Sequence, residues 1–98
     1  MTPEERQAAA MVLKAMAHPV RLGVVERLAD GERTVTELYE ALECSQSVMS
    51  HQLTVLRTQG LVTMRGDGNV KRCSLRNRDF LRLFKCLEKH VHDVLKID

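Results

Sequence analysis

Cysteine is scarce in this chain and never doubled. Three occur among 98 residues, Cys44, Cys73 and Cys86. An odd set without C-x-x-C spacing excludes a secreted disulfide framework and a four-cysteine zinc knot, so reduced thiols are expected. No run of about eighteen apolar residues is present, which excludes a membrane helix read from hydropathy. The N-terminus shows no charged, apolar, small-residue leader, and the chain is expected to be a soluble cytoplasmic protein. A nucleophile-and-base constellation, a phosphate loop and a complete metal motif are also missing, so an enzyme is not expected.

What is there makes one domain over 1–98. With 44% apolar residues it can bury a modest core, which a partner subunit would help to complete. The net charge of +2 is small, but it is unevenly spread: residues 1–43 hold five Lys or Arg against eight Asp or Glu, and residues 44–82 hold seven against two. Residues 83–98 balance at three against three. A basic middle is the electrostatic footprint of a polyanion-binding surface.

Helix signals divide the chain clearly. Thr2, Pro3 and Glu5 form a T-x-x-E capping box with proline at the first helical position, predicting a helix to about Met16. Its middle, "AAAMVLKAMA", is apolar nearly all round, so it must be covered on two sides, by the core and by another subunit. Pro19 starts a second helix that Asp30-Gly31 ends. Thr36 is expected to cap a short third helix carrying Leu38 and Leu42, and Ser45 caps a fourth that Gly60 ends.

The fourth helix, within "SQSVMSHQLTVLRTQG", has an ordinary apolar seam of Met49, Leu53 and Leu56. Its other face carries short hydroxyls and an imidazole where a solvated face usually carries Lys and Glu. Two short helices joined by a tight turn outline a helix-turn-helix, and such a face suits close approach to base edges. Gln46 can pair with adenine, Ser47 and Ser50 can reach bases or phosphates, and His51 can donate to a phosphate. The runs "LVTMR" and "VKRCSL", joined by "GDGN", predict a hairpin whose tip is flanked by Arg65, Lys71 and Arg72, placed for phosphates or a minor groove. The expected fold is mainly α with a small β-hairpin: a winged helix-turn-helix of five helices and a two-stranded wing.

The segments "LKAMAHPVRLGVVERLADG" and "VTELYEALECSQSVMSHQLTVLRTQGLV", together with the wing, resemble the ArsR/SmtB family of small dimeric bacterial repressors. The resemblance implies a homodimer through the first and last helices and a double-stranded DNA operator with two half-sites. It also implies an effector. The family's C-x-C site on the third helix has no counterpart in "VTELYEAL". Its last-helix pattern, laid on "SLRNRDFLRLFKCLEKHVHDVL", places Asn77, Asp79, His90 and Asp93 on the four ligand positions. Asp79, His90 and Asp93 keep ligating atoms for a divalent metal such as zinc, and Asn77 loses a charge. A thiol-reactive signal at Cys86, on the same stripe as His90 and Asp93, or at Cys44 is the other expectation. For Cys73, alternating with Leu75, a buried filler role is expected. The alternative to DNA reading is a winged-helix protein-interaction module without specific DNA binding.

Overall fold

Local capping chemistry starts most of the helices. In a computed structural model, which describes residues 1–95, helix α1 (Pro3–Met16) begins with the expected box. Thr2 Oγ1 accepts from the Glu5 N–H at 3.0 Å, and the Glu5 carboxylate accepts from the Thr2 N–H at 2.8 Å. Helix α2 (Pro19–Leu28) is capped by His18, whose Nδ1 accepts from the Val20 N–H at 3.1 Å. This requires the neutral ring to carry its proton on Nε2. Helix α4 (Gln46–Thr58) is capped by Ser45 at 3.1 Å and followed by Gly60 at φ 73°.

Helix α3 (Val35–Ala41) corrects one expectation. Its cap is Thr34, not Thr36: Thr34 and Glu37 form a second reciprocal box at 2.9 and 3.0 Å. The reason is spacing, since a box needs the acid three residues after the cap, and Thr36 has Tyr39 there. Thr34→Ala should therefore cost about 1 kcal/mol in a denaturant titration, and Thr36→Ala no more than about 0.5 kcal/mol. The hydrogen bonds from Thr2 and Thr34 hold the Glu5 and Glu37 carboxyls below the usual carboxylate range. Both boxes thus support the fold above the ordinary carboxylate pKa and release as pH falls through the lowered values.

The expected two-stranded wing, β2 (Val62–Asp67) and β3 (Val70–Leu75), gains a third strand, β1 (Arg33–Thr34), giving an antiparallel sheet of order β1-β3-β2. Arg33 lies opposite Cys73 and Thr34 opposite Arg72, while across the hairpin Arg65 faces Arg72 and Asp67 faces Val70. Gly68, at φ 65°, occupies the first position of the two-residue turn, where a type II′ hairpin requires positive φ.

The core is drawn from the end of α1, from α2, α3 and α4, and from the sheet; Val24, Val25, Leu28, Leu38, Met49, Leu53, Leu56, Val62 and Cys73 are fully buried. The last helix, α5 (Phe80–Leu95), contributes no buried residue and rests Phe80, Leu81 and Phe84 on the outside of this core. Among the described residues no single helix is long and apolar enough to cross a membrane.

Candidate nucleic-acid interface

Helix α4 separates its residues into a buried seam and an open face. Met49, Gln52, Leu53 and Leu56 point inward, while Gln46, Ser47, Ser50, His51 and Thr54 are exposed. No Asp or Glu lies anywhere on this helix. The tight turn before it holds Glu43 at φ 53°, the one described non-glycine residue with positive φ, which brings α4 directly off the end of α3.

The open face divides further. Gln46, Ser50, Thr54 and Arg57 line a recess of about 280 Å³ whose other walls are Thr34 and Thr36 at the start of α3 and Asn69 and Lys71 of the wing. Ser47 and His51 lie on the next stripe, exposed but outside the recess. The hydroxyl of Thr54 donates to the Ser50 carbonyl at 2.9 Å, so its oxygen remains available only as an acceptor. Arg57 was not among the residues expected to contact DNA. Its signal was its spacing: 46, 50 and 57 are i, i+4 and i+11, which fall on one line along a helix.

The three wing cations are not equivalent. Arg65 pairs with Glu32 at 2.9 Å and Arg72 with Asp67 at 3.2 Å. Among the described residues Lys71 and Arg57 have no carboxylate in salt-bridge range; Arg57 meets only the Met64 sulfur, at 3.9 Å. Two positive side chains free of internal partners among the described residues therefore line one polar recess, an arrangement that suits a phosphate.

The α5 residues stand apart from this surface. Asp79 lies in the turn ahead of α5, its N–H bonded to Asn77 Oδ1 at 2.9 Å. His90 is exposed, and Asp93 approaches Lys89 at 4.0 Å. Among the described residues no three His, Cys, Asp or Glu side chains of one chain gather into a metal cluster. Asp79 and His90 are 11 positions apart, roughly 16 Å along a helix axis at about 1.5 Å per residue. These residues can share an ion only between two antiparallel α5 helices.

The thiols differ sharply. Cys73 is fully buried in the sheet's inner face, as expected of a filler, and burial, aided by the charge of Glu32, pushes its pKa up to about 11. Cys44 is half-buried and Cys86 exposed; all three are free.

Comparison with known proteins agrees with the geometry. The family model for a helix-turn-helix domain matches residues 16–65. A transcriptional repressor SmtB homolog from Synechocystis is 33% identical over 93 residues, covering 95% of this chain and 70% of its own length. The regulator NmtR from Mycobacterium tuberculosis is 49% identical over 63 residues, 61% of this chain, and the match spans about half of NmtR, 52%. Among solved structures, the homodimeric winged helix-turn-helix DNA-binding domain of Mb0332 from Mycobacterium bovis superposes with a TM-score of 0.85 at 27% identity, covering 98% of this chain and 92% of that one. With a relative 33% identical across 95% of this chain and 70% of the relative, and a shared winged fold, the chain belongs to the ArsR/SmtB family of winged helix-turn-helix transcriptional regulators.

Proposed function

We propose that the protein is a cytoplasmic, homodimeric, sequence-specific DNA-binding repressor. The α4 helix of each subunit enters a major groove, and the wing holds the adjacent backbone. The observation that carries this reading is the carboxylate-free recess between α4 and the wing, which both Lys71 and Arg57 line. In this reading Gln46 pairs with the bidentate edge of adenine, Ser47 and Ser50 contact bases or phosphates, and His51 donates to a phosphate. Arg65 and Arg72 share their charge with Glu32 and Asp67, so their net contributions are smaller than that of Lys71.

Release from the operator comes from an effector at the α5 pair. Asp79 from one protomer with His90 and Asp93 from its partner would hold a divalent metal such as zinc, with water in the open position. The exposed Cys86 thiol, or Cys44 beside α4, would instead receive a thiol-reactive signal. Either acts by favouring a dimer geometry that fits DNA less well, and because coupling is reciprocal DNA weakens the effector by the same factor, about 5- to 150-fold.

The test is fluorescence anisotropy of the reduced protein on a duplex that the wild type selects from a random pool, across a range of salt. Lys71→Ala and Arg57→Ala should each weaken every sequence alike and lower the salt slope by about 0.9. Gln46→Ala should cost about 1–3 kcal/mol of discrimination at one base position. Equal binding to every duplex, with no effect of these changes, would instead identify a protein-interaction module. Release by zinc that His90→Ala abolishes assigns the metal site; release by a persulfide or peroxide donor that Cys86→Ala or Cys44→Ala abolishes assigns the thiols.

A further inference from the structure

Among the described residues Gln52 is the one buried polar side chain, 7% exposed, and it sits in the apolar seam of the reading helix between Met49, Leu53 and Leu56. Its Oε1 accepts from Nη1 of Arg21 on α2 at 2.6 Å, and Nε of the same guanidinium donates to the carbonyl of Ala15 in the last turn of α1. One planar group thus ties three helices together at a point where their other contacts are apolar.

Apolar side-chain packing sets helix crossing angles only to within about 15–20°, whereas the guanidinium fork has a fixed plane and aims both of its bonds. Stability alone does not call for such a bridge. Well-packed apolar side chains of similar volume often replace a buried polar or ionic group at no net loss. The helices it joins suggest what it does instead: α1 carries Met11 and Leu13 on its exposed side, 49% and 54% accessible, and α4 carries the reading face.

We infer that Arg21 is a positioning residue that, through the Ala15 carbonyl and Gln52, locks the direction of α4 to the dimerisation helix α1 and so sets the half-site spacing the dimer accepts. This rests on the DNA-reading dimer proposed above. Inserting one base pair between half-sites moves them apart by about 3.4 Å and rotates one against the other by roughly 35°. Two α4 helices each locked to a shared interface cannot follow that change. Two helices held only by apolar packing can.

The experiment compares the selected duplex with one carrying a single inserted central base pair and one carrying a single substitution inside a half-site. The wild type should lose about tenfold or more on each altered duplex, one base contact being worth about that much. In Arg21→Met/Gln52→Leu the half-site substitution should still cost about tenfold, and the insertion no more than about threefold, since Gln46 and Ser47 still read bases while the lock is gone. Arg21→Lys, a point charge that cannot aim at both acceptors, should relax spacing in the same direction and serves if the double variant does not fold to a dimer. Gln52→Glu keeps the acceptor and should keep wild-type spacing preference. Wild-type discrimination against the insertion in a folded Arg21→Met/Gln52→Leu or Arg21→Lys dimer overturns the inference and leaves DNA reading intact. A wild type that selects no sequence overturns both.

Discussion

Leu83→Glu should leave the protein monomeric and lower its affinity for a two-half-site duplex by about 100- to 10,000-fold. That is the range lost when two linked contacts become separate ones. The reason lies in what a single chain leaves uncovered. Over Phe80–Leu95 not one residue is buried, yet Leu83, Leu87, Val94 and Leu95 are 45%, 43%, 58% and 60% exposed. The exposed Leu13 of α1 meets Leu83 at an apolar hollow of about 500 Å³ that also touches Val12, Leu61 and Phe80. A contiguous apolar surface built from the first and last helices marks an interface, and the related Mb0332 domain is homodimeric. A carboxylate at its centre must be desolvated without a partner. Sedimentation velocity gives the mass and anisotropy the affinity; a dimeric Leu83→Glu with undiminished binding would place the interface elsewhere.

Leu56→Ala should destabilise the fold by about 2–5 kcal/mol, through lost burial and the cavity left behind. Leu56 is 0% exposed on the inner seam of α4, in one core with Val24, Val25, Leu28 and Leu38. For a chain of about this size each kcal/mol lowers Tm by roughly 4–8 °C, so thermal melting should shift down by about 10 °C or more. The total stability of such domains is about 5–15 kcal/mol, so this one truncation can remove a large part of it. A shift of only a degree or two would mean that α4 is held chiefly from outside this seam.

The parts of the molecule that could be read in advance are those decided by neighbours in sequence. The Thr2–Glu5 box, the Ser45 cap, the seam of Met49, Leu53 and Leu56, and the glycine turn of the wing each depend on residues within one or two turns. The α3 cap belongs with them, because T-V-T-E contains the Thr34–Glu37 box within one turn. The features not visible depend on chain-distant partners. Glu32 and Arg65 are 33 residues apart and Arg21 and Gln52 are 31 apart, and no local pattern links them. For the same reason the wing cations looked interchangeable in sequence, whereas among the described residues Lys71 has no ion-pair partner and Arg65 and Arg72 are held in ion pairs. β1 escaped because two residues make a strand only where another strand supplies the ladder.

That short strand also determines what kind of wing this is. Thr34 faces Arg72 across the sheet and at the same time caps α3, so the hairpin is stitched to the first turn of the helix-turn-helix. A wing hinged only at its base could swing to meet grooves of different width. Braced at its middle strand by the two β1 residues, this one would work as a caliper set to one opening, leaving the DNA to supply any bending the fit requires.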